Sequence, residues 1–194
     1  MRKVAVSEIL DLTRYEAIRE ATLADTIEMK KARRISVGHC LTFIFENRAT
    51  VTFQIQEMVR TERIVREQAI AAEVAVYNEL VPDEDELSAT LMIEIPDLEK
   101  IRAELDRLIG IDEHVYLDVG GTRVDARFDK KQFEADRIAA VQYVKFPLGR
   151  ELAARFRDVA VPVVLGVDHE NYRATQTVEG AVRASLAADL VPGA

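Results

Sequence analysis

Two adjacent glycines, Gly120 and Gly121, separate two short segments in which apolar and polar residues alternate, HVYLDV and TRVDAR. Glycine readily adopts the positive φ angles of a two-residue hairpin turn. A loop of this length fixes the register of the two strands and places Leu117 opposite Val124 on the apolar face. The sequence therefore predicts a β-hairpin at about residues 114–127.

Other segments extend the prediction to the whole chain. Alternation over ELSATLMIEI predicts a further strand, and RISVGHCLTFIFEN is predicted to form one strand that bends at Gly38. Thr13 and Glu16 have the spacing of a capping box, and the good helix formers that follow predict a first helix that ends near Arg33. Apolar residues at helical spacing predict one long helix over about 50–80. The first half is thus rich in helices and the second half in strands, which predicts a single α+β domain over residues 1–194 with an antiparallel or mixed sheet.

The composition argues against several classes of function. The formal net charge is −8 and the isoelectric point is near 5.0; nucleic-acid binding needs clustered positive charge, so we expect no nucleic-acid partner. The longest apolar run, VAVPVVLGV, is far shorter than the ~20 residues of a membrane-spanning helix, so we expect no membrane span. A single cysteine, Cys40, and an N-terminal segment without an export-type apolar stretch lead us to expect a cytoplasmic protein.

The predicted long helix carries charges on its apolar side, and these are the first candidates for a site. Glu62, Arg66 and Glu73 fall within the apolar stripe when residues are placed at about 100° intervals. Glu62 and Arg66 are four residues apart, with the acid nearer the N-terminus, which favours an ion pair. Glu73 has no such neighbour. It could pair with a cation from another helix such as Arg19, lie at a contact with a second subunit, or line a ligand or metal pocket.

The histidines provide a further candidate. His169 follows a strongly apolar segment, in GVDHENY, and loops after buried strands often face ligands. None of the three histidines has a second histidine or a cysteine three or four residues away, and the common nucleotide, hydrolase, redox and zinc signatures are absent from the sequence. The candidate ligand-binding residues are therefore Glu62, Arg66, Glu73 and His169, and we assign no catalytic residue, metal or cofactor.

Four phrases of the sequence together resemble a bacterial family classified as a domain of unknown function: VGHCLTFIFENRATVTFQIQEMVRTERI, YNELVPDEDELSATLMIEI, IDEHVYLDVGG and AVQYVKF. The likeness covers nearly the whole chain. Members are typically encoded beside rubrerythrin and an iron-sulphur oxidoreductase of the heterodisulfide-reductase type, so the resemblance implies a role in redox or peroxide defence. The family pattern has VGPH where this chain has VGHC, which shifts His39 by one position and argues against a ligand role for that residue.

Two hypotheses follow. The leading one is a non-catalytic accessory or binding protein of a cytoplasmic redox or peroxide-stress system, which forms a homo-oligomer and binds rubrerythrin or the iron-sulphur oxidoreductase. The alternative is an enzyme that binds a metal or a small ligand in a carboxylate-lined pocket on the long helix.

Overall fold

The computed structural model describes residues 1–97, 99–129, 133–134 and 137–191. The helices of this part of the chain are α1 (Leu12–Lys31), α2 (Arg48–Thr61), α3 (Glu67–Tyr77), α4 (Ile101–Arg107), α5 (Gly149–Arg157) and α6 (Gly180–Asp189). Its strands are β1 (Arg34–Val37), β2 (Leu41–Glu46), β3 (Glu86–Ile93), β4 (Val115–Val119), β5 (Thr122–Asp125), β6 (Arg127–Phe128), β7 (Phe133–Glu134), β8 (Arg137–Ile138), β9 (Val141–Pro147), β10 (Val163–His169) and β11 (Tyr172–Thr177). The predicted α+β fold is therefore confirmed.

Two antiparallel sheets enclose the main hydrophobic core. The first has the strand order β1-β2-β3-β9-β6 and the second has the order β11-β10-β4-β5. Phe43 and Leu91 of the first sheet are fully buried in this core, together with Leu117 and Leu165 of the second. Phe156 of α5 packs into the same core. The alternation of apolar residues along each strand thus places one face of each sheet against the other.

The predicted hairpin is present as β4 and β5. Leu117 lies opposite Val124, in the predicted register, and Gly120 and Gly121 form the turn with φ angles of 60° and 85°. Alternation and turn chemistry are sufficient to predict this element, because both depend only on near neighbours.

The segment predicted as one bent strand is a second hairpin, so that prediction is wrong. β1 and β2 pair with Val37 opposite Leu41, and Gly38 turns the chain with a φ angle of 68°. A Cβ atom on residue 38 would lie 2.3 Å from the phenol oxygen of Tyr172. That hydroxyl donates to the carbonyl of Val37 at 2.6 Å and accepts from the N–H of Cys40 at 3.2 Å. The turn therefore depends on a tyrosine of β11, far along the chain.

The segment predicted as one long helix is also divided, into α2 and α3. Arg63 adopts a φ angle of 50°; its N–H donates to the carbonyl of Arg60 at 3.2 Å, and the N–H of Ile64 donates to the carbonyl of Val59 at 2.9 Å. This pair of bonds is the Schellman motif that ends a helix, and Ile64 packs in the same small apolar cluster as Val59. The motif usually has glycine at the position of Arg63, so no local signal in the sequence marks the break.

The small apolar cluster lies between the helices α2 and α3 and the outer face of the first sheet. It contains Val4, Val51, Ile55 and Val74, and Tyr143 of β9 packs against it.

In the part of the chain that the structure describes, no helix combines the length and the apolar character that crossing a membrane requires.

Replacing Arg63 by glycine is expected to stabilise the protein, because glycine adopts a positive φ angle without the steric cost of a side chain. We expect R63G to raise the free energy of unfolding by about 0.5–1 kcal/mol, measured by urea denaturation. Q68G, at an exposed position of α3, is the control and should lower the same free energy by roughly 1 kcal/mol. A loss of stability in R63G would contradict this account of the helix break.

Candidate functional site

The four candidate residues from the sequence belong to three elements, α2, α3 and β10. Glu62 caps the C-terminus of α2, Arg66 precedes α3, and Glu73 lies within α3. Glu62 and Arg66 are exposed, and neither forms an ion pair with any residue that the structure describes. Arg19, suggested above as a partner for Glu73, binds a carboxylate of α2 instead. A ligand role for these residues stays a prediction.

His169 is buried at the end of β10, and both of its ring nitrogens are engaged. Nε2 lies 3.1 Å from the carbonyl oxygen of Ile109, and Nδ1 accepts a hydrogen bond from the N–H of Asn171 at 3.3 Å. The ring of His114 meets it edge-on, with 5.1 Å between the ring centroids. These contacts fasten the loop after α4 to the end of the second sheet, which is a structural role.

A hydrogen-bonded cluster fastens α1 to α2. Of the 20 residues of α1, all of which the structure describes, only Tyr15 and Thr26 are buried. Glu57 of α2 accepts a hydrogen bond from the hydroxyl of Tyr15 at 2.7 Å and one from each of two nitrogens of Arg19 at 2.8 Å. The hydrogen bonds from Arg19 hold the pKa of Glu57 below its usual value, whereas burial raises the pKa of Tyr15.

Beyond this cluster the two helices leave an open groove of about 380 Å³, here called the α1–α2 groove. Its walls are mainly apolar or hydroxyl-bearing residues: Ile18, Thr22 and Met29 of α1, and Ala49, Thr52 and Phe53 of α2. Gln56 lies at its floor, where the side-chain amide both donates to and accepts from the main chain of Leu10 at 2.9 Å. The groove is therefore lined by α1, by α2 and by the segment before α1, which Gln56 holds in place.

Its threonines are satisfied within their own helices. The hydroxyls of Thr22, Thr26 and Thr52 each donate to the carbonyl of the residue four positions earlier. An apolar side chain can therefore lie against them without leaving a hydroxyl unpaired, which would be costly. On the rim, Asp25 is exposed and forms no ion pair with any described residue.

A second cleft, of about 350 Å³, lies where β1 turns into β2 and is here called the mouth cleft. It is lined by His39, Cys40, Ile95, Pro96, Asp97, Lys100, Glu104 and Arg107. The ring of Tyr172 supports the turn, with its centroid 5.1 Å from that of His39. Clefts of this size at the ends of strands are common positions for small ligands.

The acids of the mouth cleft are paired with nearby bases. Nζ of Lys100 lies 2.7 Å from Oδ2 of Asp97, and Nη1 of Arg107 lies 3.4 Å from Oε1 of Glu104. Burial raises the pKa of the Cys40 thiol, which keeps it in the less reactive protonated form. Within the described ranges, no group of three His, Cys, Asp or Glu side chains is placed to hold a metal ion. The cleft is therefore charge-balanced and lacks an activated nucleophile.

We expect E57Q to lower the free energy of unfolding at neutral pH by about 1–3 kcal/mol, because it weakens charged hydrogen bonds from Arg19 and Tyr15. The pKa of Glu57 is lower in the folded chain than its usual value of 4.5. Its contribution is therefore present above that value and is lost as the pH falls through the folded pKa. The difference between wild type and E57Q should shrink in acid, measured by urea denaturation over a pH series.

E16Q is the matched control, because it removes a more exposed ion pair between the same two helices, that of Glu16 with Arg60 at 2.8 Å. Its effect on the free energy of unfolding should be below about 1 kcal/mol. An E57Q variant as stable as wild type at neutral pH, or a difference that grows in acid, would show that this cluster does not fasten α1.

Nearly the whole chain is similar to a protein of known structure and unknown function from Burkholderia pseudomallei K96243. The two sequences are 35% identical, the match covers 97% of this chain and 100% of that chain, and the structures superimpose with a TM-score of 0.91. No curated protein matches the sequence. The family model described as protein of unknown function, DUF3501, matches residues 3–190. The predicted resemblance to a family of unknown function is thereby confirmed, and the chain belongs to the DUF3501 family.

Proposed function

We propose that the protein is a non-catalytic accessory protein of a cytoplasmic redox or peroxide-stress system, and that it binds a helix of a partner protein in the α1–α2 groove. The observation that carries the proposal is the open groove, in which Ile18 and Phe53 face free space between two fixed helices. An amphipathic helix that lays its apolar face into such a groove is a common mode of protein recognition.

The chemistry of the groove sets what the partner helix must carry. The internally bonded threonines favour apolar anchors, since those leave no hydroxyl unpaired. Asp25 on the rim favours a lysine or arginine on the flank of the partner helix. The guanidinium of Arg48 binds both carboxylate oxygens of Glu8 at 2.5 Å, and both residues line the groove, so these two charges are already paired.

The resemblance in the sequence supplies the partners to test. The resemblance implies that genes of this family lie beside those for rubrerythrin and an iron-sulphur oxidoreductase of the heterodisulfide-reductase type. Genes encoded together often act together, so this neighbourhood supports the redox assignment only as an association. The proposed mode of partner binding rests on the α1–α2 groove alone.

Two isoleucines of α1 provide a matched pair of variants. Ile18 lines the groove and Ile27 does not, although their exposed fractions are similar at 47% and 51%. We expect I18D to weaken binding of the partner at least about tenfold, because a carboxylate would be buried against apolar side chains. I27D should bind as wild type does. The measurement is isothermal titration calorimetry with purified rubrerythrin and with the purified iron-sulphur oxidoreductase.

Failure of wild type to bind either protein would count against the redox role. Equal binding by I18D and I27D would instead count against the groove as the contact surface.

The mouth cleft supports a second candidate function, the binding of a small molecule. This retains the ligand-binding part of the alternative hypothesis but moves it away from the long helix, because Glu62 and Glu73 do not line this cleft. Two acids and two bases in one cleft suit a small zwitterion such as an amino acid or a short peptide.

Two arginines of α4 separate this candidate from the first. Arg107 lines the mouth cleft and Arg102 does not, with 59% and 63% of their side chains exposed. If the cleft binds zwitterions, free amino acids or glutathione should raise the Tm of wild type and R102A but not of R107A. The check is a thermal-shift assay, and an unchanged Tm with every probe would dismiss this candidate.

A further inference from the structure

The outward side of α3 is apolar, although α3 lies at the surface. Ala69, Ala72 and Val76 recur at spacings of three and four, so they share one face of the helix. All three are exposed, Val76 by 64%, and Val65 just before the helix is exposed by 76%. Val74, on the opposite side, is the one buried residue of this fully described helix. A contiguous apolar face of this kind is typical of a protein contact.

Two charged residues flank this face. Arg66 and Glu73 are seven positions apart, so they lie about 20° from each other around the helix axis, on the same flank. They are roughly 10 Å apart along that axis. Arg66 is exposed and Glu73 is half-buried, and neither forms an ion pair with another residue in the described part of the chain. Each charge is therefore open to a partner from outside the chain.

We propose that α3 is the contact between two copies of this chain, which cross in antiparallel orientation with Ala69 of one copy opposite Ala72 of the partner subunit. In a twofold antiparallel pair the corresponding flanks of the two helices meet. Arg66 of one copy then lies beside Glu73 of the partner subunit, with an offset of roughly 3 Å along the helix axes. The symmetry forms this ion pair twice, so the charge pattern of α3 is complementary to itself.

The remaining side chains fit this geometry. Alanines at the crossing point allow the helix axes to approach to about 8 Å, and Val76 of one copy covers Val65 of the partner subunit. α3 has 11 residues and is therefore roughly 16 Å long, so the contact is smaller than that of a stable complex. The expected dimer is weak, with a Kd between about 1 μM and 1 mM.

Reversal of the charges tests the pairing. Sedimentation velocity of the full chain over about 1 μM to 1 mM should show wild type in monomer–dimer equilibrium. R66E and E73R should each weaken association at least about tenfold, because each variant places two like-charged contacts in the dimer. The double variant R66E/E73R should restore the wild-type Kd, since both ion pairs re-form with reversed sign.

The apolar part of the contact has its own test. A72E places a carboxylate at the crossing point and should abolish the dimer, whereas A24E, at an exposed position of α1, should leave the Kd unchanged. Circular dichroism checks that each variant keeps its fold.

A wild type that is monomeric at every concentration would overturn the proposal. So would a double variant that associates no better than the single variants, or binding of a different protein to this face without self-association. The α3 face and the α1–α2 groove are separate surfaces, so I18D should leave the dimer intact. This proposal and the partner-binding role can therefore succeed or fail independently.

Discussion

The buried guanidinium of Arg33 fixes the C-terminal end of α1 against β2 and α6, and the position of α1 in the fold depends on it. It donates hydrogen bonds to the carbonyls of Phe45 and Glu46, to the hydroxyl of Ser185 and to the carboxylate of Asp189. A planar group with five N–H donors can serve four acceptors at once, which a lysine cannot. Because a buried charge must be paired, these contacts hold the end of α1, the end of β2 and α6 in one position.

The α1–α2 groove follows from this constraint. Arg33 fixes the C-terminal end of α1, and the hydrogen bonds of Tyr15 and Arg19 to Glu57 fix its N-terminal part on α2. Between the two anchors α1 buries little surface of its own, with Thr26 as the buried residue of that stretch. A helix held at both ends but not along its length leaves an apolar opening between α1 and α2, and a preformed opening would lower the entropic cost of binding the proposed partner helix.

Sequence reasoning succeeds here where the cause of a structure is local. The hairpin at Gly120 needs only alternation and a turn, and its register is predicted correctly. The helix break at Arg63 depends on the packing of Ile64, and the turn at residue 38 depends on the hydroxyl of Tyr172. The residues next to each position therefore do not predict it. The residues that join α1 to α2 are harder to predict from the sequence, because their contacts are also distant along the chain. A helical wheel marks Glu73 as unpaired, but it cannot show that Glu57 is the carboxylate that meets α1.

We propose that this protein acts through the surface of α1 and α2. Hydrogen–deuterium exchange of the full chain, alone and mixed with rubrerythrin or the iron-sulphur oxidoreductase, tests this most directly, because exchange reports local opening along the main chain. We predict slower exchange in α1 and in the first half of α2 when the partner is bound, with exchange in α4 and at Gly38 unchanged. Slower exchange confined to α4 and Gly38, or no change anywhere, would contradict the claim.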